Sequence, residues 1–177
     1  MKKRKISFIC PFCGNEWSEE RDTLIDGEKE LTLKRCIEEE SYFNECCPSC
    51  KKSFTSFFPL LYCDLKRKFL IALVLEDTSW LDDVNALPQF QSFTKRIVYN
   101  EKELKEKITV FENELDDEGI AKVKNQIKGT HVVIYFEKTN DELLWFMSET
   151  GPIGVEKRFY RPIGHKYPYF VYIEGEV

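Results

Sequence analysis

The chain has 177 residues, of which 42% are hydrophobic, 14% aromatic and 32% charged, and its formal net charge is −5. This composition is typical of a water-soluble protein with enough apolar material for one domain or two small ones. No apolar run approaches the length of a membrane-spanning helix, so we expect no membrane association. The second half is the more acidic half, which argues against broad coating of nucleic acid.

The N-terminus offers no export signal. Five residues rich in lysine and arginine lead into only four residues, Ile6 to Ile9, before the first cysteine. That stretch is too short for the apolar core of a signal peptide. Together with seven cysteines, this start predicts a reducing, cytoplasmic setting.

The first predicted element is a short strand over Lys5–Ile9 that enters the turn Cys10-Pro11-Phe12-Cys13-Gly14. Proline pre-sets the turn, and glycine can adopt the positive φ that such turns need after the second cysteine. Residues 15–23 leave the turn with Trp17 as their apolar marker. Asp26-Gly27 is a turn signal, and the apolar spacing that follows predicts a short helix over Glu28–Glu40.

A second cysteine turn repeats the first. Tyr42–Cys46 reads as the strand entering Cys47-Pro48-Ser49-Cys50, and Ser53–Phe58 as the strand leaving it. Hairpins joined by such turns are the construction of a zinc ribbon. Lys51 stands where the first turn has glycine. We expect Lys51 and Lys52 to offset the negative charge of a four-thiolate site.

Two C-P-x-C turns supply four thiols at the spacing that a tetrahedral metal requires. We therefore predict one structural zinc ion, with these ligands: Cys10, Cys13, Cys47 and Cys50. A rubredoxin-like iron centre and a redox or disulfide role remain open. Cys46 competes with Cys47 as a ligand, but only Cys47 gives the repeated spacing. Cys36 and Cys63 have apolar neighbours and are expected to be small buried hydrophobes.

The middle of the chain contains one strong strand signal. Residues 59–64 read as a turn-rich connector, whereas Lys68–Leu75 is almost continuously apolar, as in a central strand covered on both faces. Residues 76–94 show no sustained period. They are predicted to be a linker or a packed connector.

The C-terminal half predicts two helices and four strands. Asn100 and Glu103 form a capping box for a helix over residues 101–111, and Asp116 or Asp117 caps a second helix that ends at Gly129. Strand-like runs follow, with turns at residues 139–142 and 150–154. The runs are 130–137, 143–148, 155–160 and 169–174.

The sequence as a whole predicts an α+β fold. A zinc-ribbon-like antiparallel β domain occupies residues 1–75, and the segment 76–94 connects it to an α+β domain over residues 95–177. The second domain is expected to consist of the two helices and a four-stranded antiparallel meander.

The paired motifs, the segment Pro59-Leu60-Leu61-Tyr62-Cys63-Asp64 and the strand after it resemble the CpXC-domain proteins, a bacterial and archaeal group with no assigned activity. The resemblance covers roughly residues 6–75, and the runs at 96–99, 103–108 and 115–117 look like an extension found in some members. Lys51 in place of glycine and Cys63 in place of a commoner histidine are departures. The resemblance implies zinc binding and a bacterial cytoplasmic setting, and it brings no known reaction.

Few groups suggest chemistry beyond the metal. The two histidines, His131 and His165, belong to no recognised catalytic motif, and a closed four-cysteine site leaves no open coordination position. We therefore expect an interaction module that recognises a protein partner, and not an enzyme. Its partner surface is expected on the second domain or on segment 76–94.

A nucleic-acid-binding ribbon is the alternative function. Lys2–Lys5, Lys51-Lys52 and Lys66-Arg67-Lys68 would supply charge, and Phe54, Phe57 and Phe58 would supply stacking faces. The sequence gives no oligomeric state. The candidate binding surface comprises these residues: Lys51, Lys52, Arg158, Arg161, His165 and Lys166.

Overall fold

The computed structural model describes residues 3–173, so Lys2 and Glu174, which end two of the predicted segments, lie outside it. Within that range the chain forms strands, helices and two short 3₁₀ turns. The strands are β1 (Lys3–Ile9), β2 (Glu16–Asp22), β3 (Leu24–Asp26), β4 (Asn44–Cys46), β5 (Ser53–Thr55), β6 (Leu60–Asp64), β7 (Phe69–Leu73), β8 (Thr94–Val98), β9 (Ile134–Thr139), β10 (Leu143–Ser148), β11 (Gly151–Glu156) and β12 (Val171–Tyr172). The helices are α1 (Leu31–Glu38), α2 (Trp80–Asn85), α3 (Glu101–Glu112) and α4 (Asp117–Ile127). The predicted α+β class is confirmed.

A five-stranded sheet with the order β12-β8-β7-β6-β3 forms the centre of the fold. β7 is the middle strand, as its apolar run predicts, and it pairs antiparallel with β6 and parallel with β8. Phe69, Ile71 and Leu73 enter the core on one face, while Leu70 and Ala72 enter a second core on the other. Because both faces are covered, the strand carries no polar alternation.

The prediction of a turn-rich connector at residues 59–64 is wrong, because this segment forms β6. All five residues of β6 are buried, including Asp64. A strand covered on both faces loses the period-2 pattern, and Pro59 directly before it adds a false turn signal.

Two short antiparallel hairpins, β1–β2 and β4–β5, carry the cysteine turns. Aromatic contacts attach them to the sheet core. The ring of Phe8 stacks on Trp17 with centroids 5.4 Å apart and meets Phe58 edge-on at 6.4 Å. Both Phe8 and Phe58 are buried. The first hairpin is thus anchored close to its cysteine turn, since Phe8 and Trp17 are paired at the turn end of the β1–β2 ladder.

The segment 76–94 is structured and packed. It forms α2 and a 3₁₀ turn (Pro88–Phe90), and it buries Leu81 and Phe93 against one face of the sheet. β8, directly after it, pairs with β7, so the central sheet takes strands from both sides of the segment. The division into two domains stays a prediction.

Helices α3 and α4 begin as the capping signals predict. The Asn100 side chain accepts a 2.9 Å hydrogen bond from the amide of Glu103, and the Asp116 side chain accepts one of 2.8 Å from Gly119. Asp116 is therefore the N-cap of α4. Asp117 is the first helical residue, and its carboxylate has a different role, described below.

The predicted four-stranded meander has three strands, β9-β10-β11. β12, expected as its fourth strand, instead pairs parallel with β8 at the edge of the central sheet. β11 begins at Gly151, so the predicted turn at 150–154 is mostly strand, and Glu149-Thr150 makes the connection. Gly151 has φ +126°, which explains why its turn signal lies inside the strand.

Residues 157–173, called here the C-terminal arm, cross from the meander to the edge strand β8. Few apolar side chains of the arm are buried, and Phe170 is the main one. Polar bonds attach the rest. Lys95 donates to the carbonyl of Pro168 at 3.0 Å, and Asp116 accepts from the amide of Ile163 at 2.8 Å.

A buried ion cluster joins β8, α3 and α4. Arg96 forms a two-pronged pair with Asp117, with nitrogen to oxygen distances of 2.7 and 2.8 Å. Lys107 approaches the same carboxylate at 2.9 Å and also donates to the carbonyl of Ile173. Burial disfavours the charged Asp117, but Lys107 and Arg96 outweigh burial and lower its pKa. The carboxylate is therefore ionised in the folded protein.

We predict that Asp117→Asn lowers the free energy of unfolding by about 3–5 kcal/mol, because it leaves two cations buried without their counter-charge. Urea unfolding measures the loss, and Asp141→Asn in an exposed turn is the control. In the unsubstituted protein this stabilisation is present above the unfolded pKa of Asp, about 3.9, and is lost as pH falls through the lower folded value. A loss below about 1 kcal/mol would contradict the assignment.

Candidate metal centre

The first cysteine turn follows β1 and is closed by backbone hydrogen bonds. The amide of Cys10 donates to the carbonyl of Asn15, and the amide of Gly14 donates to that of Cys10, both at 2.9 Å. Gly14 has φ +70°, the left-handed conformation that its sequence position predicts. The turn places the thiols of Cys10 and Cys13 on the same side.

The second turn has the same hydrogen-bond pattern. The amide of Cys47 donates to the carbonyl of Lys52, and the amide of Lys51 donates to that of Cys47, both at 3.0 Å. Lys51 has φ +61°, so it adopts the conformation that glycine has in the first turn. For a residue with a side chain this conformation costs roughly 1–2 kcal/mol. The turn geometry is therefore kept despite the sequence departure.

The two turns face each other and bring four thiols together. The sulfurs of Cys10 and Cys50 lie 3.6 Å apart, those of Cys13 and Cys47 lie 3.7 Å apart, and all four lie within 4.8 Å of one another. A tetrahedron with Zn–S bonds of about 2.3 Å has edges of about 3.8 Å. These distances are far longer than the S–S bond of about 2.05 Å in a disulfide. The cluster can hold a metal ion.

The thiols differ in how readily they ionise. Burial opposes ionisation of Cys47, but hydrogen bonds from the amides of Cys50 and Ser49 lower its pKa to about 6. At Cys50, a hydrogen bond from the backbone amide of Lys52 favours the thiolate. Burial and the neighbouring sulfurs outweigh this hydrogen bond and raise the pKa of Cys50 to about 11. A cation at the centre is what four thiolates in such close contact require.

The other cysteines stay outside the cluster. Cys46 is exposed and its sulfur lies 3.6 Å from the carbonyl of Lys51. It precedes Cys47 but projects from the opposite face of the strand. Cys63 is buried in β6, as expected, whereas Cys36 is only half-buried on α1.

The candidate binding residues fall into two groups. Lys51 and Lys52 are exposed at the second turn, where the Lys52 ammonium lies 4.9 Å from the ring centre of Phe12. The other four, on the C-terminal arm, are Arg158, Arg161, His165 and Lys166. Arg158 pairs with Glu156, the Arg161 guanidinium donates to the carbonyls of Arg158 and Tyr160, and His165 lies 2.8 Å from Glu118.

The predicted stacking faces are largely used within the fold. Phe58 is fully buried in the core. Phe54 meets Trp17 edge-on at 6.0 Å, and Phe57 packs on Phe43 at 5.2 Å, although 38% of Phe57 remains exposed. Phe58 therefore cannot stack on a base. The geometry weakens the nucleic-acid alternative.

Two exposed apolar side chains at the first turn escaped the sequence analysis. Ile9 is 63% exposed and Phe12 is 54% exposed. The signal is weak but present: Phe8 points into the core, so Ile9 must point out of it. Phe12 lies between two metal-ligand candidates, at a position that the turn itself directs outward.

The comparisons with known proteins give one match. The family model described as CpXC protein matches residues 8–124, about two thirds of the chain. The chain belongs to the CpXC family. No curated protein and no solved structure matches the chain.

The matched range continues past β7 through β8 and α3 and ends within α4. It therefore includes both cysteine turns of this CpXC protein and four strands of the central sheet, β3, β6, β7 and β8, but not the meander or the C-terminal arm. Within residues 3–173, no helix is long and apolar enough to cross a membrane.

We predict that Cys13→Ala or Cys47→Ala abolishes metal binding and unfolds the two hairpins, roughly residues 6–60. A structural zinc site contributes on the order of 10–16 kcal/mol of apparent binding free energy, which a three-thiol site cannot maintain. Metal analysis and near-ultraviolet circular dichroism measure the two effects.

The matched controls are Cys36→Ala and Cys46→Ala, which remove thiols outside the cluster and should leave the metal in place. Loss of metal in either control would show that the ligand set is different.

Proposed function

We propose that this CpXC protein is a zinc-dependent interaction module in which one structural zinc ion fixes the two hairpins so that they present a protein-binding surface. The observation that carries this proposal is the convergence of four thiols from two turns with matching backbone geometry. Four thiolates satisfy tetrahedral zinc completely and leave no position for a substrate. The metal would therefore serve structure and not turnover.

The sulfur donor set narrows the resident metal to two candidates. Four sulfur ligands in a tetrahedron suit zinc and also iron in a rubredoxin-like centre. The two are distinguished by colour and by metal analysis, because zinc thiolate sites are colourless. We propose zinc as the resident ion and a cytoplasmic setting, where thiols remain reduced.

The surface proposed to meet the partner lies at the turns themselves. Ile9 and Phe12 expose apolar area next to the metal centre, and Lys52 lies over the Phe12 ring. Lys51, also exposed, adds a second positive charge. Exposed aromatic side chains with a basic rim are common at protein interfaces. This chemistry fits a partner segment that combines an apolar side chain with acidic neighbours.

A matched pair of substitutions tests the surface. Phe12→Ser should abolish capture of a specific partner by the full-length protein, whereas Phe159→Ser should not. The two phenylalanines are 54% and 55% exposed, and each has a basic side chain over its ring. Crosslinking with purified, metal-loaded protein and quantitative mass spectrometry provides the measurement.

The expected result is a partner that is enriched by the unsubstituted protein and by Phe159→Ser and lost by at least tenfold with Phe12→Ser, as removal of an aromatic hot spot implies. Metal content must be equal in all three proteins. Equal capture by both variants, or no enriched partner at all, would contradict the proposal.

A further inference from the structure

A separate cleft of about 390 Å³ lies between the start of β8 and the C-terminal arm. Its size falls within the range of small-molecule sites. The polar side chains that line it are Gln91, Ser92, Thr94, Arg96, His165, Lys166 and Tyr167. It has no residue in common with the cysteine cluster or with the surface around Phe12.

The lining is rich in hydrogen-bond donors that the fold does not use. Among the described residues, no hydrogen bond involves the hydroxyl of Ser92 or of Thr94. Arg96 commits three of its five N–H groups, two to Asp117 and one to the carbonyl of Lys95. Two N–H groups of a side chain that is 2% exposed therefore remain for a ligand.

The charge beneath the cleft is unbalanced in the described part of the chain. Arg96 and Lys107 share the single carboxylate of Asp117, which leaves a net positive charge in the buried cluster. Lys95, the neighbouring residue of the same strand, points to the opposite face of the sheet and does not line the cleft. A buried charge without a counter-charge is costly. A bound anion would reduce that cost.

The arm supplies the outer wall. His165 is held by Glu118, whose carboxylate lies 2.8 Å from its Nδ1, and no hydrogen bond to its Nε2 is found within residues 3–173. Lys166 is exposed beside it. Glu118 brings one negative charge and Lys166 one positive charge to this side of the cleft.

Thr94 also borders a neighbouring cavity lined in part by Lys66, Arg67 and Glu114. Arg67 is paired with the buried Asp64, and Lys66 and Glu114 add one positive and one negative charge to this side. Cationic groups thus lie on both sides of Thr94 in a chain whose overall charge is −5.

We propose that this cleft is a binding site for a small phosphate-bearing anion, held by the hydroxyl of Thr94, the guanidinium of Arg96 and the ammonium of Lys166. Hydroxyl, guanidinium and ammonium donors that line one cleft are the groups that recognise phosphate oxygens. The site is independent of the function proposed for the metal centre.

Pyrophosphate and inorganic phosphate are the probes, titrated calorimetrically into the full-length, metal-loaded protein, with sodium chloride at equal ionic strength as the reference. We expect one saturable pyrophosphate site per chain and a rise in melting temperature beyond that given by chloride. Thr94→Val, which keeps the side-chain shape, and Lys166→Gln should each weaken binding about three- to tenfold. Lys122→Gln, at an exposed lysine of α4 outside the cleft, should leave affinity unchanged.

Lys166 is exposed, so its substitution tests the site without affecting folding, and Arg96 is left intact because its loss would isolate Asp117. Absence of a saturable site, or equal affinity in Lys166→Gln and the unsubstituted protein, would overturn the proposal. A single-stranded oligonucleotide that binds more tightly than pyrophosphate, with a steep dependence on salt, would also overturn it in favour of nucleic acid.

Discussion

The closure of four thiols between two turns is the constraint on which the N-terminal half depends. Of the two hairpins that carry the turns, β1–β2 pairs seven residues on each strand and β4–β5 pairs only three. An isolated two-stranded hairpin is marginal in water. Aromatic packing through Phe8 and Phe58 attaches the hairpins to the core, and contacts of Trp17 with Phe54 and of Lys52 with Phe12 join the hairpins beside the sulfurs. A structural metal ion, as proposed here, would make the two tips one rigid unit.

The opposite end of the molecule depends on polar burial. Arg96, Lys107 and Asp117 join a strand and two helices, and the C-terminal arm is attached largely through bonds from side chains to backbone carbonyls and amides. Such a cluster is a poor source of stability, because desolvation offsets much of the attraction between the charges. The cluster also carries an excess positive charge, which would favour an anion in the cleft above Arg96.

Local signals in the sequence predicted the parts of the fold that local physics determines. The capping residues Asn100 and Asp116 marked both helix starts, and the apolar run around Ile71 marked the central strand. The paired C-P-x-C spacing identified the four thiols that converge, because turn geometry and tetrahedral coordination are properties of a few adjacent residues. The conformation of Lys51 followed its position in the turn and not its residue type.

The features that the sequence did not predict depend on contacts between distant parts of the chain. The strand β6 was hidden because burial on both faces removes alternation, and β12 left the meander because β8 offered an unpaired edge. The pairing of Arg96 with Asp117 joins residues 21 positions apart and has no periodic signature. Nothing local could place Thr94 opposite Lys166, so the cleft could not be predicted from sequence.

X-ray absorption at the zinc edge of the purified protein tests the central claim most directly. The account predicts one zinc ion per chain with four sulfur neighbours at about 2.3 Å and no lighter ligand. A spectrum requiring nitrogen or oxygen in the inner coordination sphere, or protein that folds fully with no bound metal, would contradict it.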